Sequence, residues 1–292
     1  MTTTAQDPAL PHRRLPGAKR LRDGSVLYWW VEVSAIAAFY LVYSAIRNAD
    51  ADRRAEALAN ALELIRIERW MGIYHERILN EWAMAFTPLA VFGNYFYGSL
   101  HFVVTIGVAV YLFRRWPDDW PLWRNTLGIA TALALIGFRF WPLMPPRLLP
   151  AAYGFVDTMA RYPTLWTFNS GAMRSISNQY AAMPSVHCAW ALWCACALVP
   201  RVRSTAAKVA AAAYPAVTVF VIVLTANHFF LDAPAGFAVL GIGYVAARLG
   251  TRAGRGRPLA RSAGSTTGGG PGETEPDRHA DRLAARGSPV VS

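Results

Sequence analysis

The sequence predicts an all-α integral membrane protein, a bundle of about six transmembrane helices. Hydrophobic residues make up 54% of the 292 residues and charged residues only 16%, whereas soluble domains carry about 25% charged residues. The apolar residues fall into separate runs, several of them long enough to cross a hydrocarbon core of ~30 Å. The Lys and Arg residues gather at both ends and in short connectors between these runs, as they do in inner-membrane proteins.

The same figures exclude other classes of protein. Aromatic residues make up 13% of the chain, which is too many for a disordered protein. The three cysteines all lie in one apolar run, so they do not form a disulfide framework. The net charge of +11 comes from tails and connectors. Without a basic stripe interleaved with aromatic residues, it does not indicate nucleic acid as a partner.

The N-terminal part begins with a flexible cytoplasmic tail over residues 1–26, which is rich in proline and cations. The apolar run 27–46 predicts a first span, retained as a signal anchor rather than cleaved. Residues 50–76 predict an amphipathic helix, because Leu58, Leu62 and Ile65 recur at helical spacing between charged residues. We expect this helix to lie in the membrane interface or to pack against the bundle.

The remaining chain alternates apolar runs with short breaks. A shorter helix is expected before the second span, and glycine-rich residues 251–292 predict a disordered cytoplasmic tail. Residues 27–250 therefore form the membrane domain. Its five further spans are predicted near 95–113, 122–141, 184–199, 209–224 and 229–249.

The cations predict the topology. Both tails and the connectors at 114–124 and 201–208 are rich in Arg or Lys, and six spans bring all four to one side of the membrane. That side is the cytoplasm. The proline-rich segment 142–183 and the junction at 225–228 then share the extracytoplasmic face.

Three short segments bring polar groups to this external face. The first, Phe138–Arg147, ends in prolines that fix the direction in which Arg147 leaves the membrane. A guanidinium suits a phosphate, although an interfacial arginine that contacts lipid headgroups is more common. The second, Asn178–His187, predicts that Pro184 opens a helix. Ser185 and His187 then lie at a helix N-terminus, which favours anions.

The third segment, Thr225–Asp232, contains His228 and Asp232 at i and i+4, so a helix would place both on one face. A carboxylate that accepts a hydrogen bond from one imidazole nitrogen fixes the tautomer and leaves the other nitrogen to react. A purely structural pair has the same spacing. A metal site is a further alternative, but no Cys/His ligand pattern supports it, so neither a metal nor a cofactor is predicted.

Together these segments resemble the three signature motifs of the type 2 phosphatidic acid phosphatase superfamily. The branch with the greatest similarity is that of fungal inositol phosphorylceramide synthase. The resemblance extends over roughly residues 50–250. The matching residues are Pro142-x-x-Pro145-Pro146-Arg147, Ala182-Met183-Pro184-Ser185-x-His187 and Asn227-His228-x-x-x-Asp232.

The resemblance implies a metal-independent lipid phosphatase or inositolphosphotransferase-like enzyme that works through a phosphohistidine on the extracytoplasmic face. His228 would be the nucleophile, Asp232 would orient it, and His187 would protonate the leaving oxygen. Arg147 and Ser185 would bind the phosphate of a phospholipid or polyprenyl phosphate. Two cations of the broader superfamily are absent: Phe140 and Ile222 stand in their places, and Arg139 is expected to replace one of them.

The acceptor of the phosphoryl group is expected in the segment around 153–180, and its candidate pocket residues are Asn178, Tyr180 and Asn227. Hydrolysis and transfer differ only in whether water or an alcohol is the acceptor, and the sequence does not choose between them. Other functions remain open. The same scaffold could hold a vanadate-dependent oxidant, or it could be an inactive membrane scaffold or a transporter.

Overall fold

The structure is a computed structural model that describes residues 18–48, 53–163 and 179–255. It is mostly helical, as the sequence predicts. Two short strands precede the helices, β1 (Ala18–Arg20) and β2 (Val26–Tyr28), which pair in an antiparallel hairpin. The sequence predicted a flexible tail up to residue 26 and did not predict this hairpin. Lys19 and Leu27 form the central residue pair of this hairpin.

Eight helices of more than one turn follow in the described ranges. Between the fifth and the sixth of them lie the short helix Thr158–Arg161 and two 3₁₀ turns, Pro146–Leu148 and Ala151–Tyr153. The eight are α1 (Trp29–Asn48), α2 (Arg54–Trp70), α3 (Glu76–Ala85), α4 (Thr87–Arg115, with a π-helical turn at Phe96–Leu100), α5 (Trp120–Phe140), α6 (Val186–Leu198), α7 (Thr205–Leu224) and α8 (Asp232–Arg255).

Three of these helices are long and apolar enough to cross a membrane: α4, α7 and residues Asp232–Thr251 of α8. They match the predicted second, fifth and sixth spans, although α4 begins earlier than predicted and absorbs part of the expected shorter helix. The apolar parts of α1 and α6 are shorter, Trp29–Val42 and Val186–Leu198. Six spans therefore remain a prediction.

Helix packing and buried hydrogen bonds stabilise the bundle. Helix α8 packs along α5 and α6, and α7 packs along α6. Glu32, the one acidic residue of α1, is buried and accepts hydrogen bonds from Trp120 Nε1 at 2.9 Å and from Arg124 Nη1 at 2.6 Å. A charge inside an apolar helix is expensive unless it is paired, so this contact fixes α1 against α5.

Helix α2 packs against the bundle, which was one of the two positions expected for the amphipathic helix. Its buried face includes Ala57, Leu64 and Ile65, which share a core cluster with Leu143 and Phe229. These last two residues belong to the first and third motifs. The amphipathic helix is thus a support for the loops that carry the predicted site.

The two ends of the bundle differ in chemistry. At one end, Arg201 pairs with Asp119 and Arg22 with Asp118. The Lys19 ammonium donates to the Arg114 carbonyl at this same end. The three signature segments lie at the opposite ends of the helices, after α5, before α6 and between α7 and α8.

Candidate active site

The first segment leaves α5 as an extended strand of chain that other elements hold by its backbone. Leu143 N donates to Tyr180 O at 2.7 Å, and Met144 N donates to Ala57 O at 3.1 Å. The neighbouring prolines prevent a helix here, so these bonds satisfy the backbone N–H groups of Leu143 and Met144, which have no helical partner. Arg147 follows in a 3₁₀ turn, and its N–H donates to Ala226 O at 2.8 Å.

The Arg147 guanidinium is held from two sides. Nε donates to Asn227 Oδ1 at 2.9 Å, and Nη1 lies 3.3 Å from Asp157 Oδ2. Asp157 is itself anchored, because the neighbouring Val156 N–H donates to Asn80 Oδ1 at 2.8 Å and the Thr158 hydroxyl donates to Asn94 Oδ1 at 2.8 Å. Arg147 is therefore oriented before any ligand binds.

The second segment begins α6 two residues later than the sequence predicts, so Pro184 precedes the N-cap instead of lying in the first turn. Ser185 is the N-cap: its Oγ accepts the Cys188 N–H at 3.3 Å, while its own N–H donates to Asp232 O at 3.0 Å. Two glycines allow this approach. A Cβ on Gly236 would lie 2.3 Å from Ser185 O, and one on Gly137 would lie 2.5 Å from Pro184 Cδ.

The third segment is a loop, and the predicted helix through His228 and Asp232 was wrong. Helix α7 ends at Leu224 in a Schellman motif, in which the N–H groups of Ala226 and Asn227 donate to the carbonyls of Val223 and Ile222. Ala226 takes the left-handed conformation, with φ of 55°. This turn points the chain away from the helix axis, so His228 lies between two helices rather than on one.

The predicted pairing of His228 with Asp232 nevertheless forms. His228 Nδ1 lies 2.9 Å from Asp232 Oδ2, and both side chains are buried. Asp232 is the first residue of α8, and the same Oδ2 accepts the Phe229 N–H at 3.0 Å. The carboxylate thus holds both the imidazole and the loop that carries it.

The structure brings the three segments together. The ring centroids of His187 and His228 are 6.0 Å apart. Backbone bonds from Arg147 to Ala226 and from Ser185 to Asp232 join the first and second segments to the third. A basic guanidinium, a helix N-terminus and two histidines therefore lie on segments that are bonded to one another, and these are groups suited to an anionic ligand.

Two aromatic residues from outside the three segments, Tyr97 and His101, complete the surroundings of His187. The sequence places His101 near the external face, where a packed histidine is the more common role. Tyr97 stacks on the His187 ring with centroids 4.2 Å apart, and His101 lies 4.8 Å from the same ring. His101 is fully buried, and its Nδ1 is 2.9 Å from the Tyr214 hydroxyl. Tyr97 carries no signal in the sequence, since it lies inside an apolar helix among other aromatic residues.

The weaker predicted site residues have different surroundings. Asn227 is buried and bound to Arg147 and to Thr225 Oγ1, so it braces the guanidinium. Tyr180 is partly buried against the core cluster of α2. Arg139 is exposed on the last turn of α5, where its carbonyl accepts from Arg53. Asn178 lies outside the described residues.

The two positions that lack the superfamily cations have distinct environments. Phe140 is 76% exposed on the outer surface of α5, whereas Ile222 is fully buried in α7. The Ile222 carbonyl accepts the N–H groups of Asn227 and His228. Its side chain is thus part of the support beneath the third segment, where a charge would be costly.

Two glutamates beneath the third segment were also missed, because acidic residues on an amphipathic helix usually face water. Glu68 on α2 and Glu76 on α3 are both fully buried, and their Oε1 atoms accept the N–H groups of Leu231 and Phe230. Burial and the adjoining Glu76 carboxyl raise the pKa of Glu68 to about 10. The helical periodicity alone gives no sign that these two side chains meet.

Comparison with known proteins agrees with the three segments. The family model described as the PAP2 superfamily matches residues 62–246, which run from the middle of α2 to the middle of α8 and include all three signature segments. No curated protein matches the chain significantly. No solved structure does so either. Because the match covers more than half of the chain, the protein belongs to the PAP2 superfamily.

Proposed function

We propose that this protein is an integral membrane phosphatase or phosphotransferase that acts on a phosphate-containing lipid headgroup through a phosphohistidine. Membership of the PAP2 superfamily suggests this class of activity. The observation that carries the proposal is the buried His228–Asp232 pair, 2.9 Å apart, beside His187. An acceptor at Nδ1 leaves Nε2 as the nitrogen that attacks phosphorus.

The proposed reaction has two steps. His228 Nε2 attacks the phosphorus, the bond to the leaving oxygen breaks, and His187 gives that oxygen its proton. In the second step water or an alcohol attacks the phosphorus, the bond between phosphorus and His228 Nε2 breaks, and His187 takes up the proton of the attacking hydroxyl group. Asp232 accepts a hydrogen bond from the Nδ1–H of His228 in both steps and stabilises the positive charge that develops on the imidazole ring.

The negative charge on the phosphoryl oxygens would be stabilised by hydrogen-bond donors that are already oriented. Arg147 is held by Asn227 and Asp157 before substrate arrives, so little reorganisation is needed in the transition state. The N–H groups at the start of α6, which Ser185 caps, add partial positive charge. We propose both as the phosphate-binding groups, with Arg139 as a more distant contributor.

The lipid class and the branch are part of the proposal. Exposed apolar side chains on the candidate spans, such as Val103, Ile106 and Val245, favour a substrate whose chains stay in the bilayer. The missing cations and the three motifs favour the branch resembling inositol phosphorylceramide synthase. If the acceptor is an inositol-type alcohol, we propose that it binds near Tyr180 and the expected acceptor segment 153–180, of which residues 164–178 lie outside the described residues.

The proposed orientation follows from the chemistry of the two ends. The end that carries Arg22, Lys19 and Arg201 would face the cytoplasm, together with tails 1–26 and 251–292. The site at the other end would then be extracytoplasmic. Domain 27–250 would hold six spans, of which α4, α7 and α8 have the length and apolarity required.

Purified protein in nanodiscs tests the proposal without added metal. Phosphate release from phosphatidic acid and from a polyprenyl pyrophosphate is measured beside headgroup exchange from phosphatidylinositol. His228→Ala should abolish whichever activity is present, while His75→Ala, the same change at an exposed histidine, should leave it intact. Full turnover in His228→Ala would refute the mechanism. An inactive wild type would favour the scaffold or transporter alternative.

A further inference from the structure

Three successive backbone N–H groups follow His228, and a buried carboxylate accepts each of them. The Phe229 N–H goes to Asp232 Oδ2 at 3.0 Å, the Phe230 N–H to Glu76 Oε1 at 3.0 Å, and the Leu231 N–H to Glu68 Oε1 at 2.8 Å. The short chain between His228 and α8 is therefore held at every residue.

Glu68 and Glu76 also contact each other. Their carboxyl groups adjoin each other, and both side chains are fully buried. Each Oε2 receives no N–H or O–H donor from the described part of the chain. Two buried carboxyl groups that share one site are more stable with one proton between them than with two negative charges.

The charges around the pair favour retention of that proton. The groups that act on Glu68 are acidic: Glu76 adjoins it, and Asp232 lies across the loop. Tyr74 lies close to both glutamates, and the Arg69 guanidinium sits over the Tyr74 ring, 4.9 Å from its centroid. Two ionised carboxylates here would repel each other in a buried site. One proton removes that repulsion and leaves both Oε1 atoms to accept the loop N–H groups.

We propose that Glu68 and Glu76 are positioning residues, a one-proton carboxyl pair that fixes the loop at Phe229–Leu231 and thereby aims His228 at phosphorus. This inference rests on the proposed function. Neither glutamate touches the substrate, so their loss should lower kcat and leave KM unchanged. Loss of the shared proton at alkaline pH should have the same effect, since repulsion would then release one N–H.

Glutamine separates the two roles of each side chain. In Glu68→Gln the amide oxygen still accepts the Leu231 N–H, and the amide N–H donates to Glu76 in place of the shared proton. This variant should keep kcat and lose the alkaline fall in kcat that the wild type shows near the raised pKa of Glu68, about 10. Glu68→Ala removes both contacts and should lower kcat about 100-fold, as expected for a small displacement of a reacting group.

The matched control is Glu63, an exposed glutamate on the same helix, and Glu63→Ala should match the wild type at every pH. A Glu68→Ala variant with unchanged kcat would overturn the inference. An alkaline fall in kcat that is the same in Glu68→Gln and in the wild type would also overturn the inference. Because Glu68→Ala could unfold, the glutamine variant keeps the test decisive.

Infrared spectroscopy tests the pair without turnover. At neutral pH the wild type should show the carbonyl band of a protonated carboxyl group, which Glu68→Gln should lose and Glu63→Gln should keep. Absence of this band from the wild type would overturn the inference. If the band is present but no substrate is turned over, the proposed function fails and the pair is retained as a structural clamp.

Discussion

Gly236 is the position where one added carbon should damage the site most. A Cβ there would lie 2.3 Å from the Ser185 carbonyl oxygen, with Cys188 Cβ at 3.2 Å and Ala189 N at 3.3 Å. Ordinary contact begins near 3.4 Å, so α8 and the start of α6 would have to separate by about 1 Å. The obstacle is backbone, which cannot rotate away.

The expected loss has two parts. Overpacking of this kind costs about 1–3 kcal/mol of stability. A shift of ~1 Å between the element that carries His187 and the element that carries Asp232 should lower kcat about 100-fold. Turnover of a lipid phosphate by Gly236→Ala in nanodiscs measures the second effect, and thermal unfolding of the same sample measures the first.

Two other glycines of α8 serve as controls. A Cβ on Gly241 meets nothing within 4 Å, so Gly241→Ala should be neutral or slightly stabilising. A Cβ on Gly243 would lie 2.9 Å from Thr126 O, far along the helix from Ser185. Gly243→Ala should therefore destabilise the protein while costing much less activity. Wild-type turnover in Gly236→Ala, or equal losses in both destabilised variants, would refute the reasoning.

Three further predictions follow from the same loops. Ala226→Gly should raise the unfolding temperature, because glycine removes the cost of the left-handed φ of 55°. The net gain in the free energy of unfolding is up to about 1 kcal/mol, and a lower unfolding temperature would contradict this prediction. Asp157→Asn keeps the N-cap bond to the Ala160 N–H and leaves Arg147 Nε bound to Asn227, but it removes the charge that competes with phosphate for Arg147. Inhibition by inorganic phosphate should therefore strengthen about two- to fivefold, and unchanged or weaker inhibition would contradict this prediction. Because the pKa of Glu68 is raised, the folded protein keeps a proton that the unfolded chain loses above pH 4.5, so wild-type stability falls as the pH rises towards 10. The unfolding temperature of Glu68→Gln relative to that of the wild type should therefore increase over this pH range. A constant difference between the two unfolding temperatures would contradict the shared proton.

The sequence predicted best where one rule governs one element. Apolar length placed α1, α5, α6 and α7 to within a few residues, whereas α4 begins well before its predicted start. Pro184 followed by an apolar run indicated the start of α6 to within two residues. The His228–Asp232 pair was predicted for an incomplete reason, since the two residues meet across a loop and a helix N-terminus. The i, i+4 spacing is compatible with both geometries.

The rest depends on contacts that no local pattern encodes. A Schellman turn usually shows itself by glycine or asparagine at the left-handed position, but this one has Ala226. Glu68 and Glu76 look like solvent-facing charges on an amphipathic segment. Only the packing of α2 and α3 against the loop after His228 brings them into the interior.

The histidines are thus positioned chiefly through backbone bonds between segments that are distant in the sequence. Arg147 N binds Ala226 O, Ser185 N binds Asp232 O, and the loop between them is held by carboxylates. A side-chain change within one segment leaves these backbone bonds in place, so its effect should stay local. A change that separates two backbones, as at Gly236, displaces every group the bonds align. The largest losses after those at the reacting residues should therefore occur at close-packed glycines and at the buried glutamates.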